Sequence, residues 1–223
     1  MDGFTGFGER SIDFFDGIIA DNSKAYWTDN RDVYESDVRA PMLALLAELS
    51  DEFADMGRAK VFRPYRDVRF AKDKSPYKTH CGGVIERARG AGACYLQVGA
   101  DGLRVGGGSF HMWPAQLGRY RVAVAEDRRG ESLAKILDRL TGDGWEVRGE
   151  QLRTAPRGFT VDHPRIDLLR RKAVYAMVQW EPDDALHDRR TLDRVRAAWR
   201  VLRPLNEWVA DHVGQPADRR VSG

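Results

Sequence analysis

The sequence predicts an α+β fold, a central and mostly antiparallel sheet with helices from both chain ends packed on it. Three observations carry that reading. Segments of two-residue period cluster in the middle of the chain. Glycine-rich breaks separate them, at Gly90-Ala91-Gly92 and Asp101-Gly102, which suits hairpins. Apolar residues at helical spacing lie at both ends and between the later segments, an order that favours an antiparallel sheet over parallel βαβ units.

Taken in order, Ser11 reads as an N-cap before Ile12, Phe14, Phe15, Ile18 and Ile19. Asp21-Asn22-Ser23 breaks this helix and caps a second one starting near Lys24, which carries Tyr26, Trp27, Val33 and Tyr34. Pro41 marks a kink or a fresh start, Met42, Leu45, Leu46, Leu49 and Phe53 follow at helical spacing, and Gly57 ends the run. From Ala59 the period becomes two, and Val61 to Phe70 reads as an extended segment in which Pro64 argues for an edge strand or a bulge. Ala71 to Thr79 is a charged loop. Strands are predicted over Gly82–Arg87, Ala93–Val98 and Leu103–Gly107. Pro114 opens a helix, Glu131–Leu140 forms another, and Trp145–Arg148 is a short strand. A loop from Gln151 to His163 leads to a short helix after Pro164, a strand over Ala173–Trp180, and a last amphipathic helix from about Asp188 to Val213, interrupted or kinked at Pro204.

Hydrophobic residues make up 42% of the 223, enough for a sizeable core, and there is no internal repeat or low-complexity linker. The expectation is one α+β domain over residues 1–213 and a frayed tail over 214–223. The longest apolar stretches, such as Met42–Leu49, fall far short of a bilayer span, and Met1–Arg10 holds no basic run followed by an apolar block. No membrane partner is expected, and the cytoplasm is the default location. Cys81 and Cys94 then read as free thiols, with a disulfide across the sheet as the alternative.

The net charge of +2 excludes a strong polyanion binder but hides two opposed regions. Residues 1–57 hold thirteen acidic and four basic side chains, or −9. Residues 58–80 hold eight basic and two acidic ones, or +6. Within the second region stands the pattern Arg63, Arg66, Asp67, Arg69, Phe70, Asp73, Lys74 and Tyr77, followed by Lys78-Thr79-His80. This pattern resembles the signature of the DUF2461 family, a group of bacterial proteins of about this length. The likeness extends to Trp27, Asn30-Arg31 and Tyr34-Glu35, to Gly106-Gly107-Gly108 with Pro114 and Leu117, and to Asp162-His163-Pro164 with Leu168, Leu169 and Lys172. It implies a class and a place to look, and carries no activity.

On an extended segment, Arg63, Tyr65, Asp67 and Arg69 share one face, and Phe62, Arg66, Val68 and Phe70 the other. Arg66 then lies among apolar neighbours and must be paired to a carboxylate or open into a cleft. With Lys72, Lys74, Lys78 and the hydroxyl of Tyr77, Arg63, Arg66 and Arg69 suit a phosphate or carboxylate ligand. Asn30 and Arg31 are further candidates from the preceding helix. For catalysis His80 is the best general acid or base, with Asp67 or Asp73 as its orienter, although cations around both carboxylates favour the ionised form. Two other readings stay open. In one, the −9 region pairs with the +6 segment in an internal salt-bridge hub, through Asp29, Asp32, Glu35 and Asp37. In the other, Tyr65-Arg66 and Phe70-Ala71-Lys72 form stacking platforms for weak nucleic-acid binding. The five histidines lack metal-ligand spacing, and no metal site or cofactor is expected. Gly106-Gly107-Gly108-Ser109 lacks the Lys-Ser/Thr end of a phosphate loop and reads as strand glycines allowing close backbone approach.

Overall fold

The structure, a computed structural model, describes residues 3–88 and 90–216. The tail expected over 214–223 therefore lies outside the described residues from 217 onward. The chain runs α1 (Ser11–Ala20), α2 (Lys24–Asp29), α3 (Arg31–Val33), a π-helical stretch (Tyr34–Arg39), α4 (Ala40–Ser50) and a 3₁₀ turn (Ala54–Met56). Then follow β1 (Arg58–Val61), β2 (His80–Glu86), β3 (Ala93–Gly99), β4 (Gly102–Ser109), α5 (Pro114–Ala125), α6 (Asp127–Gly142) and β5 (Glu146–Arg148). The chain continues through α7 (Ile166–Leu169), β6 (Val174–Trp180), a 3₁₀ turn (Asp184–His187) and α8 (Arg190–His212). The strands form one antiparallel sheet in the order β1-β2-β3-β4-β6-β5, so the fold is α+β. β5 pairs β6 with Val147 opposite Ala176. Among the described residues no helix is long and apolar enough to cross a membrane.

Several local readings shift. Ser11 is the first residue of α1 rather than its cap, and its buried hydroxyl has no partner. Ser23 does cap α2, its hydroxyl accepting from the Tyr26 N–H at 3.1 Å. α6 starts four residues earlier than the apolar spacing predicts, because the Glu126 carboxylate accepts from the N–H groups of Arg128 and Arg129. A long acidic side chain is an unusual cap, so the sequence pattern does not announce it. α8 runs through Pro204 without interruption. The largest difference is at Val61–Phe70, where the strand stops at Val61.

By compactness the chain divides into two units. The first comprises residues 1–85, 95–105 and 179–198. Its core holds Phe4, Phe7, Phe14, Phe15, Ile18, Trp27 and Tyr34, with Met42, Leu45, Leu46 and Leu49 from α4. α4 reaches β2 closely at Gly83, where a Cβ would lie 2.7 Å from Leu46 Cδ1. Phe14, Trp27 and Tyr34 form an aromatic cluster with centroid separations of 4.9–6.0 Å. Carboxylates of the acidic N-terminal region pair within this unit, Glu48 with Arg189 and Glu52 with Arg196 among them. Buried Asp37 accepts from Arg10 Nε and Nη2, both at 3.1 Å, and Glu35 pairs with Arg39 at 3.2 Å.

Among the described residues the second unit comprises 86–88, 90–94, 106–178 and 199–216. Tyr120, Leu133, Leu169, Val174, Trp199, Leu202 and Val209 lie in its core. Fully buried Asn206 of α8 supplies its main polar tie. Its Oδ1 accepts from the N–H groups of Ala93 (3.1 Å) and Gly108 (2.9 Å), and its Nδ2 donates to Cys94 Sγ at 3.5 Å. Gly108 adopts φ +119 there, and a Cβ would meet the Val174 carbonyl at 2.5 Å. The glycine run is therefore strand backbone drawn close to its neighbours. Both cysteines are free and buried.

Candidate functional site

The cationic segment begins where the sheet lets go. Phe62 N–H still donates to the Gly82 carbonyl at 2.9 Å, but Pro64 has no N–H to continue the ladder. The chain turns out and comes back, closed by one isolated bridge between Tyr65 and Tyr77. Two backbone hydrogen bonds frame it, from Lys78 N–H to the Pro64 carbonyl and from Arg66 N–H to the Pro76 carbonyl, both at 2.8 Å. The base of this loop rests on the N-terminal helices. Asn22 clamps the Tyr77 backbone, Oδ1 accepting at 2.9 Å and Nδ2 donating at 3.1 Å. The Tyr77 ring stacks on Trp27, with centroids 4.5 Å apart and planes at 9°.

Inside the loop the two carboxylates each pair with an arginine. Asp67 takes a two-pronged contact from Arg69, at 3.0 Å from Nε and 2.7 Å from Nη2. Arg66 pairs with Asp73, which also accepts from the N–H and hydroxyl of Ser75 at 2.9 and 2.6 Å. Lys74 Nζ donates to the Val68 carbonyl at 2.9 Å. Hydrogen bonds from Arg69 hold the Asp67 carboxyl down at about 2, and those from Ser75 and Arg66 hold Asp73 well below the usual range. Both carboxylates are ionised at neutral pH and neither hydrogen-bonds His80. Among the described residues Asp29, Asp32, Glu35 and Asp37 form no ion pair with this segment.

The remaining candidates have separate fates. Tyr77 is 5% exposed and belongs to the aromatic cluster, its hydroxyl without a hydrogen-bond partner among the described residues. Lys72 is exposed, with no side-chain partner among the described residues. Asn30 turns back to the Tyr26 carbonyl at 3.0 Å, and Arg31 is exposed at the start of α3. Phe70 at the loop tip is 97% exposed.

A second group of cations, on β1 and at the two ends of the loop, has no carboxylate partner among the described residues. The Lys78 ammonium donates to the Arg63 carbonyl at 2.9 Å and lies 5.4 Å from the centre of the Phe62 ring. The Lys60 ammonium approaches the same ring at 5.8 Å. Phe62 in turn leans toward Tyr95 over Gly82, where a Cβ would come within 3.2 Å of the Phe62 ring and 3.0 Å of the Tyr95 oxygen. Among the described residues neither Lys60, Arg63 nor Lys78 forms an ion pair. Burial first, then the charges of Arg63 and Lys60, lower the pKa of Lys78. Burial and then Lys78 lower that of His80, with Asp101 opposing and Arg104 reinforcing. Asp101 is itself held by Arg104 at 2.8 Å.

The structure thus sorts the predicted residues. Arg66, Asp67, Arg69, Asp73 and Lys74 form the self-paired loop, whereas Arg63, Lys78 and His80 join Lys60, Phe62 and Tyr95 around β1 and β2. Sequence reasoning assigned no role to Lys60, Phe62 or Tyr95 at a site. The two-residue spacing of Lys60 on β1 and Phe62 just after it was the available signal, but nothing local reveals which strands β1 and β3 flank. A family model described as a conserved hypothetical protein (DUF2461) matches residues 10–208. The chain belongs to the DUF2461 family. No curated protein matches it. In this DUF2461 chain the matched span runs from the residue before α1 into the last turns of α8, and includes both the loop and the cationic group beside it.

Proposed function

We propose that this DUF2461 protein binds a small anionic ligand, phosphate-bearing by preference, at the cationic group formed by Lys60, Arg63, Lys78 and His80. The observation that supports this most directly is the state of Lys78. It is a partly buried ammonium beside two further cations, with a carbonyl and a ring as partners and no carboxylate. Partial burial of like charges costs free energy that an anion would recover. Lys supplies mobile point charges and Arg63 a planar fork, a combination suited to phosphate oxygens. If chemistry follows binding, these cations would stabilise developing negative charge, and His80 is the nearest titratable group to exchange a proton.

The self-paired loop supports a second, complementary reading as an internal salt-bridge hub. Its arginines are already engaged by Asp67 and Asp73, so the loop acts as a brace that presents Arg63 and Lys78. Exposed Phe70 and Tyr65 keep single-stranded nucleic acid as an outcome of the test.

Thermal unfolding at fixed ionic strength tests the assignment, with phosphate, pyrophosphate, sulfate and a short single-stranded oligonucleotide as probes. A ligand at one hundred times its Kd stabilises by about 2.7 kcal/mol. Stabilisation of the parent by phosphate or pyrophosphate, lost in Lys60→Gln and Arg63→Gln but kept in Arg69→Gln, supports the cationic group. Loss in Arg69→Gln alone, or no response from the parent to any small anion, overturns it. A response to the oligonucleotide alone would move the function to the loop tip.

A further inference from the structure

A cavity of about 340 Å³ lies in the second unit, and no residue of the cationic group lines it. Its charged groups are Lys172 and Glu150, His111 also lines it, and its walls include Phe110, Met112, Leu117 and Tyr175. The two charged residues are placed by backbone, not chance. Lys172 N–H donates to the Glu150 carbonyl at 2.7 Å, Gln151 bridges to Arg171, and Leu152 N–H donates to the Arg170 carbonyl at 2.8 Å. Their side chains meet at 2.5 Å, that of Lys172 39% and that of Glu150 71% exposed. The apolar wall is equally fixed, since Phe110 packs on Tyr175 with centroids 4.5 Å apart and Met112 is 5% exposed.

We propose that this cavity is a binding site for a small zwitterion with an apolar body, an α-amino acid with an aromatic or long aliphatic side chain. The chemistry follows from complementarity. One positive and one negative group stand side by side at the edge of an apolar wall. The matching ligand carries a carboxylate and an ammonium on one carbon, which also bears an apolar group. The carboxylate takes Lys172, the ammonium takes Glu150, and the side chain lies against Phe110, Met112 and Tyr175. Entry costs little, because an exposed ion pair contributes about 0–1 kcal/mol to stability, and one pair is replaced by two. A volume near 340 Å³ sits at the small end of ligand pockets, which start at roughly 300 Å³. A ligand of a few apolar carbons therefore suits it better than a nucleotide.

Isothermal titration calorimetry on the full chain decides the matter, with L-phenylalanine, L-leucine, phenylacetate and phenethylamine as probes. The two amino acids should bind, and each truncated analogue should bind roughly tenfold or more weakly, the usual loss for one charged hydrogen-bonding partner. Lys172→Gln should weaken L-phenylalanine but leave phenethylamine unchanged. Glu150→Gln should weaken L-phenylalanine but leave phenylacetate unchanged. Both replaced side chains are partly or well exposed, and circular dichroism melting would confirm that each variant folds. Equal binding of L-phenylalanine and phenylacetate, a zwitterion response indifferent to both substitutions, or no binding by the parent overturns the proposal.

Discussion

Replacing Tyr77 separates two roles that one residue of the cationic segment could play. Read as a ligand contact, its hydroxyl matters. Read from the structure, its ring matters, because it is 5% exposed and stacked on Trp27 at 4.5 Å while the hydroxyl has no partner among the described residues. Truncating a buried aromatic to alanine typically costs 3–5 kcal/mol, of which about 0.5–1.5 kcal/mol reflects ring pairing beyond area. Tyr77 stands at the foot of a loop that can relax into the space, so Tyr77→Ala should fall at the lower end, about 3 kcal/mol. In a chain of this size 1 kcal/mol moves Tm by roughly 2–4 °C, giving a drop of about 6–12 °C. Tyr77→Phe keeps the ring and deletes a hydroxyl with no bond to lose, so its stability should stay within about 0.5 kcal/mol of the parent. Scanning calorimetry on the three proteins reads both numbers. A Tyr77→Phe variant as unstable as Tyr77→Ala would refute the reasoning, as would a Tyr77→Ala variant that melts with the parent.

Three further outcomes are expected. Asn206→Leu leaves the buried N–H groups of Ala93 and Gly108 without an acceptor, at about 1–3 kcal/mol each, and a denaturant titration should show a loss of about 2–6 kcal/mol. Burial pushes the Cys81 thiol up to about 11 against the hydrogen bond from Tyr34, and Cys94 is buried under Asn206. Iodoacetamide at pH 8 should therefore label neither in the folded protein and both in denaturant, as read by mass spectrometry. Burial and Lys78 hold His80 below its ordinary 6.5, so the unfolded chain takes up its proton first and stability falls as pH drops from 6.5 through the folded value. Sulfate keeps its charge over that range and favours protonated His80. Its affinity should rise as pH falls, and His80→Gln should flatten that rise.

Much of the fold is legible in the sequence because it rests on local pattern. Strands β2, β3, β4 and β6 lie within a few residues of their two-residue alternations, and Ser23 and Pro114 mark helix starts by ordinary capping chemistry. The misplaced elements are those decided by distant partners. The alternation over Val61–Phe70 is sound as a pattern, yet a strand needs a neighbour, and Pro64 removes the donor that would have kept β2 as one. Beyond it the chain takes its shape from Asn22, Trp27 and Asp73, two of which lie more than thirty residues away.

The site was legible as a region and not as an arrangement, and the reason is electrostatic. A count of charges gives +6 over residues 58–80 but treats every cation alike. Folding divides them by reach. Asp67 and Asp73 each find an arginine two and seven residues away within the loop, and these exposed pairs leave little field for a ligand. Lys60, Arg63 and Lys78 lie on the strand side of Pro64 and Tyr77, where neither loop carboxylate forms an ion pair with them among the described residues, although the charge of Arg63 helps hold the Asp67 carboxyl down. Among the described residues no carboxylate of the −9 region forms an ion pair with them, and Asp37 and Glu35 are taken by Arg10 and Arg39. The residual positive charge therefore concentrates at the foot of the loop rather than at its tip, around a ring that two ammoniums share. A net charge of +2 and an unsatisfied cationic site are compatible for that reason: pairing is settled over a few ångströms, and the site is what pairing leaves over.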